Sequence, residues 1–130
     1  MIERLQPTEA LARLQSVPGT MLIDVRDPVE RALVGHPVGS VNIPWAFAPG
    51  MRPNPAFLDS VRQQAPDPAT PLLLLCRSGQ RSLAAAEALA AAGYTRVANV
   101  EEGFEGPLDE QRHRNTLGGW RRHGLPWEQG

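Results

Sequence analysis

The sequence lacks most of the features that mark secreted, disulfide-bonded and metal-binding proteins. Its 130 residues contain one cysteine, Cys76. A single cysteine can form no disulfide within the chain, and it cannot build a multi-cysteine metal site by itself. This cysteine usage suits a reducing compartment. We therefore expect a cytoplasmic protein.

Long apolar runs and an excess of either charge are absent as well. No apolar run approaches the ~20 residues that a membrane-spanning helix needs. Residues 1–6 show neither the apolar core nor the small-residue cleavage pattern of a signal peptide. The formal net charge is −1, so no basic surface for nucleic acid or acidic lipid is predicted. We expect no nucleic-acid partner and no membrane partner.

Internal repeats, low-complexity tracts and long linkers are also missing from the chain. The hydrophobic fraction of 42% and the charged fraction of 21% are ordinary for a globular protein. A chain of this length can bury roughly two-thirds of its unfolded surface in one core. We therefore expect residues 1–130 to form a single domain.

What the chain does contain is an unusual stretch around its only cysteine. Residues 72–75 are four consecutive leucines, which predicts a strand that is buried on both faces. Cys76 follows directly, then a short polar turn with Arg77 and Arg81. Residues 83–92 are almost all Ala, Leu and Glu, which favour a helix. The thiol is thus predicted at a strand-to-helix turn between two guanidinium groups.

Strand and helix patterns alternate along the chain, which favours a central parallel sheet covered on both faces. In such sheets, functional groups collect at the carboxyl ends of the strands. Asp24 and Arg26, the Cys76 turn, and the glycine-rich residues 103–106 all follow predicted strands. We expect these three segments to line one crevice.

The predicted position of Cys76 favours a reactive thiol. A helix N-terminus and neighbouring cations stabilise the thiolate, which is the nucleophilic form. Backbone N–H groups in such a turn can cradle an anion, and Gly79 allows the backbone to curve back. The alternative is that Cys76 is an ordinary buried small residue. The polar run beside it argues against that interpretation.

Residues 76–82, Cys-Arg-Ser-Gly-Gln-Arg-Ser, resemble the active-site loop of rhodanese-like sulfurtransferases. Further similarity to this family extends over nearly the whole chain, at residues 23–26, Glu30, residues 35–36, Gly39, residues 42–44, residues 103–106, residues 119–120 and residues 124–126. The resemblance implies an α/β fold with a central, mostly parallel sheet of about five strands and helices on both faces.

The resemblance also implies a reaction and its residues. Sulfane sulfur would pass from a small anionic donor such as thiosulfate to cyanide or a thiol, by way of a persulfide on Cys76. It implies no cofactor and no metal. The residues of the substrate- and persulfide-binding loop would be Arg77, Ser78, Gly79, Gln80, Arg81 and Ser82.

Two other functions remain as alternatives. One is a persulfide carrier that delivers sulfur to a protein partner with little turnover of small molecules. The other is a phosphatase-like enzyme. Four residues separate Cys76 from Arg81, whereas the related phosphatase loops have five, to surround a phosphate. The shorter spacing favours the transfer of sulfur.

Three further segments carry expectations that the structure can test. Asp24 and Arg26 form either a structural ion pair or a support for the cysteine loop. Residues 45–55 are rich in Pro and Gly and are predicted to be an irregular surface loop. The charged residues 107–115 resemble an insertion in the family pattern, and we expect a solvated loop there. The alternative is that this segment, which lies near the expected crevice, shapes access to it or forms a partner surface.

Overall fold

The computed structural model describes residues 2–130 of the chain. It is an α/β structure. The helices are α1 (Pro7–Ser16), α2 (Pro28–Val34), α3 (Phe57–Gln64) and α4 (Gln80–Ala91). The strands are β1 (Glu3–Leu5), β2 (Met21–Asp24), β3 (His36–Pro37), β4 (Val41–Asn42), β5 (Ala46–Phe47), β6 (Arg52–Pro53), β7 (Leu72–Leu75), β8 (Val97–Val100) and β9 (Trp127–Glu128).

Five strands form the central sheet in the order β1-β8-β7-β2-β4. Every neighbouring pair is parallel. The predicted fold class and the expected number of strands are therefore confirmed. The four remaining strands make two antiparallel ribbons, β3 with β9 and β5 with β6.

The four leucines of β7 explain why this strand lies in the middle of the sheet. Successive side chains of a strand point to opposite faces. Leu72 and Leu74 accordingly pack in one core, and Leu73 and Leu75 pack in the other. All four are fully buried. Burial of a leucine side chain contributes about 1.5–3 kcal/mol, so this strand anchors both layers of the fold.

Helices cover both faces of the sheet, as the alternating pattern predicts. On one face, Phe57 and Val61 of α3 pack with Leu89 of α4. On the other face, Ala10 of α1 packs with Trp120 of the C-terminal segment. None of the helices in residues 2–130 is long and apolar enough to cross a membrane.

The short ribbons differ from the prediction. Residues 45–55 are not wholly irregular, because β5 and β6 pair there. Strands β1, β3 and β9 have no counterpart in the sequence prediction. Each has only two or three residues, too few to show a periodic pattern, and the partner of β3 lies at the far end of the chain.

A turn formed by residues 103–105 clasps the chain where β7 ends. The amide of Phe104 donates to the Cys76 carbonyl at 2.8 Å, and the amide of Glu105 donates to the Arg77 carbonyl at 3.0 Å. A Cβ on Gly103 would lie 2.5 Å from the Cys76 carbonyl oxygen. Gly103 also has a φ of +62°. Only glycine allows this close approach.

We expect Gly103→Ala to lower the free energy of unfolding by about 3 kcal/mol, from steric overlap and left-handed backbone strain together. Urea denaturation measures the loss. Gly19→Ala is the matched control, since Gly19 has a φ of +81° but no atom within 4 Å of a built Cβ. That variant should lose about 1 kcal/mol. Equal losses in the two variants would contradict the steric argument.

Candidate active site

Cys76 lies directly after β7, at the carboxyl edge of the sheet. Its residue is 1% exposed. The amide of Gly79 donates to its Sγ at 3.1 Å. Gly79 has a left-handed φ of +109° and immediately precedes α4, so the turn bends back and the helix N-terminus faces the sulfur. The predicted strand–thiol–helix arrangement is present.

A buried polar network supports the turn from below. The Ser82 hydroxyl lies 3.3 Å from the Cys76 Sγ and donates to Oδ1 of Asn99 at 2.5 Å. Asn99 in turn donates to the Gly79 carbonyl at 3.1 Å and to Glu101 at 2.6 Å. A hydroxyl has only one proton to donate. The Cys76 sulfur and Oδ1 of Asn99 therefore compete for the proton of the Ser82 hydroxyl.

A pocket of about 260 Å³ opens over the thiol. It is lined by Met51, Cys76, Arg77, Ser78, Gln80, Arg81 and Arg114. Two larger clefts, of about 470 and about 570 Å³, lie elsewhere on the molecule and are not lined by Cys76. The larger of these is a groove between Ile2 and Arg4 on one side and α4 on the other.

Arg81 reaches the pocket wall with its charge already paired. Its Nη1 and Nη2 atoms donate to the two carboxylate oxygens of Glu30, at 2.9 and 2.8 Å. Both side chains are about one-fifth exposed. Burial opposes ionisation of Glu30, but the Arg81 hydrogen bonds outweigh it and lower the pKa of that carboxyl. The same bonds raise the pKa of Arg81.

Arg77 also has a carboxylate partner. Its Nε lies 3.2 Å from Oε2 of Glu105, and its side chain is 47% exposed. Glu105 itself is nearly buried. The neighbouring turn therefore supplies both the amide that binds the Arg77 carbonyl and the carboxylate that faces its guanidinium.

The third guanidinium at the pocket belongs to Arg114, which the sequence prediction missed. Residues 107–115 were expected to be a solvated loop, with a segment that shapes access to the crevice as the alternative, and this arginine lines the pocket. Its Nη1 donates to the Gly106 carbonyl at 2.8 Å. The loop folds back over the crevice because the amide of Asn115 donates to the Glu105 carbonyl at 2.8 Å.

Asp24 and Arg26 form a fully buried ion pair beneath the site. Nε and Nη2 of Arg26 donate to the two Asp24 oxygens at 2.9 and 2.7 Å, and Nη2 also donates to the Gly35 carbonyl at 2.7 Å. The Arg26 guanidinium lies 4.7 Å from the centre of the Phe104 ring. The pair does not line the pocket. It contacts the turn that holds the Cys76 carbonyl.

Several residues of the site carried only weak signals in the sequence. Asn99 is the one polar residue of the buried strand β8. A polar residue among buried apolar ones indicates a side chain with a specific hydrogen-bond partner. Glu30 and Glu105 are ordinary charged residues until the fold pairs them with arginines. Among residues 2–130, no group of three or more His, Cys, Asp or Glu side chains is placed to hold a metal ion.

Comparison with known proteins agrees with this architecture. The sequence profile described as the Rhodanese-like domain matches residues 6–109, which is most of the chain. The chain belongs to the rhodanese-like domain family.

Among solved structures, Rv0390 from Mycobacterium tuberculosis is similar to this rhodanese-like chain over 98% of both chains. The TM-score is 0.89 and the sequence identity is 40%. Thiosulfate sulfurtransferase 18 of Arabidopsis thaliana is 37% identical over 113 residues, which cover 84% of this chain and 80% of that protein.

Senescence-associated protein DIN1 of Raphanus sativus is 34% identical over 96 residues. Those residues cover 72% of this chain but only 51% of the radish protein. The present chain thus corresponds to about half of that relative.

The Glu30–Arg81 pair makes stability depend on pH. The folded-state pKa of Glu30 is lowered, so ionised Glu30 stabilises the folded protein. This contribution is complete above the ordinary glutamate pKa of about 4.3 and is lost as the pH falls through the lower, folded-state pKa. At pH 7 we expect the free energy of unfolding of Glu30→Gln to be about 1–2 kcal/mol lower than that of wild type. This difference should shrink below about pH 4.

Urea titrations of both proteins between neutral and acidic pH measure the difference. Glu110→Gln, at an exposed glutamate of the 107–115 loop, is the control and should unfold like wild type throughout. A Glu30→Gln deficit that stayed constant down to the lowest pH would contradict the assignment of the effect to an ionised Glu30.

Proposed function

We propose that this chain is a sulfurtransferase that carries sulfane sulfur as a persulfide on Cys76. The observation that carries the proposal is the hydrogen bond from the Gly79 amide to the Cys76 Sγ, at 3.1 Å. Cys76 lines a pocket that is also lined by three arginines. An N–H donor aimed at sulfur at a helix N-terminus stabilises negative charge there. A thiolate and a persulfide anion both need that stabilisation.

The first half-reaction suits this pocket. The Cys76 thiolate attacks the outer sulfur of thiosulfate and forms a new sulfur–sulfur bond. The bond between the two donor sulfurs breaks, and its electron pair leaves with sulfite. The products are the Cys76 persulfide anion and sulfite, so charge and atoms balance and no proton is transferred. No general base is needed if the thiolate is already present.

In the second half-reaction, a thiophilic acceptor such as cyanide attacks the outer sulfur of the persulfide. A carbon–sulfur bond forms, the persulfide sulfur–sulfur bond breaks, and its electron pair stays on Sγ. Thiocyanate leaves and the Cys76 thiolate is regenerated. This is covalent catalysis with two half-reactions. Arg77 borders the pocket and can interact electrostatically with an anionic donor or leaving group. Arg81, bound to Glu30 through both Nη atoms, shapes the wall.

The size of the turn supports sulfur rather than phosphoryl transfer. Only four residues separate Cys76 from Arg81, and the backbone amide of Gly79 already contacts the sulfur. The narrow turn encloses one atom beyond the thiol more readily than a phosphate and its oxygens. The name of the Arabidopsis relative, thiosulfate sulfurtransferase, points to the same chemistry.

Incubation with thiosulfate should add one sulfur atom to the protein. Intact-mass spectrometry detects the adduct, and peptide mapping should place it on Cys76. Addition of cyanide should remove the adduct and release thiocyanate. Cys76→Ser is the control and should stay unmodified.

Wild type without an adduct, or an equal adduct on Cys76→Ser, would disprove the sulfurtransferase function. The rate of sulfur release distinguishes the remaining alternative. A loaded Cys76 that reacts with cyanide and small thiols only over hours would indicate a persulfide carrier for a protein partner instead.

A further inference from the structure

The charges around the Cys76 pocket are unevenly paired. Three guanidinium groups line it, and two of them face carboxylates. Arg81 is bound by Glu30 through two hydrogen bonds. Arg77 lies 3.2 Å from Glu105. Both carboxylates therefore neutralise arginines that belong to the cysteine turn itself.

Arg114 is different. Within residues 2–130, no carboxylate oxygen lies within 4.0 Å of its guanidinium, and its one hydrogen-bond acceptor is the neutral Gly106 carbonyl. Its Nε is buried without a hydrogen-bond partner. Burial, followed by the positive charge of Arg77, lowers the pKa of Arg114. An arginine remains charged even so, and a buried donor without an acceptor costs free energy.

The loop that carries Arg114 is ordered by its own hydrogen bonds. The Asp109 carboxylate accepts from the amide of Gln111 at 3.0 Å, from the amide of His113 at 2.8 Å and from the Thr116 hydroxyl at 2.7 Å. The amide of Asn115 is bound to the Glu105 carbonyl. Arg114 is thus presented to the pocket from a fixed turn.

The charge balance shows why this arginine matters for an anionic donor. With Cys76 as a thiolate, two carboxylates and the sulfur oppose the three guanidinium groups. The pocket is neutral with Arg114, and it would carry one net negative charge without it. A dianion that approached that negative pocket would be repelled.

We propose that Arg114 binds the oxygen atoms of the sulfur donor and thereby determines the donor specificity of the site. The substrate class is a small oxyanion that bears a transferable sulfur, such as thiosulfate or a thiosulfonate. The inference rests on the sulfurtransferase function proposed above. The matched family profile ends at residue 109, before the residue to which this role is assigned.

Two alkylating agents of equal shape and different charge test the anion site without any sulfur transfer. Iodoacetate carries a carboxylate and iodoacetamide is neutral, and both reagents alkylate thiols. In Arg114→Gln the ratio of the iodoacetate rate to the iodoacetamide rate should fall about tenfold or more, because a charge-assisted hydrogen bond is lost. Arg112→Gln, at an exposed arginine of the same loop, should keep the wild-type ratio.

Steady-state kinetics with thiosulfate form the second arm. Arg114→Gln should raise the KM for thiosulfate about tenfold or more, whereas Arg112→Gln should leave it unchanged. Arg114→Lys keeps the positive charge and should recover part of the iodoacetate preference and of the thiosulfate affinity.

An unchanged alkylation ratio in a folded Arg114→Gln would overturn the inference. If that variant does not fold, the test uses wild-type protein. Inorganic sulfate should slow iodoacetamide alkylation of Cys76 more than sodium chloride of equal ionic strength. Equal effects of the two salts would overturn the inference. A different result would show that the proposed sulfurtransferase function is wrong while the anion site exists. Thiosulfate would then load no sulfur on wild type, while the Arg114-dependent iodoacetate preference would persist.

Discussion

The clasp between residues 103–106 and the cysteine turn is the constraint on which the site depends. Two backbone hydrogen bonds fix the carbonyls of Cys76 and Arg77, and the approach is too close for any side chain on Gly103. Each following residue has a further task. Phe104 covers the buried Arg26 guanidinium, Glu105 faces Arg77, and the Gly106 carbonyl binds Arg114. The turn at residues 103–106 thus holds the cysteine turn and both arginines, Arg77 and Arg114, in place.

Charge compensation is the second organising feature. A thiolate at a helix N-terminus gains from nearby cations, but an excess of unpaired guanidinium groups beside it would destabilise the fold. The structure resolves this conflict with two carboxylates from separate elements, Glu30 on α2 and Glu105 after β8. The cations keep the site receptive to anions, while the carboxylates hold the side chains in place. The same ion pairs therefore contribute to the charge of the pocket and to the stability of the fold.

Much of the fold followed from local patterns. The leucine run predicted the central strand and the alanine-rich run predicted α4, because burial on both faces and helix propensity act over a few residues. The order of strands and helices then placed Asp24, Cys76 and Gly103 at one edge. The short ribbons were not predicted, nor was the position of Arg114, within the charged residues 107–115, at the pocket wall. Nothing in that charged segment distinguishes an arginine that faces solvent from one that faces the thiol.

The sequence by itself determined the parallel sheet, the single thiol at a strand-to-helix turn and the glycine that lets this turn close. These features depend on hydrophobic pattern and backbone freedom, which are local properties. Only the tertiary structure decided which carboxylate neutralises which arginine, that Asn99 binds Ser82, and that Arg114 completes the pocket. Those contacts join residues that lie far apart in the chain, and their energies exist only once the sheet has brought its loops together.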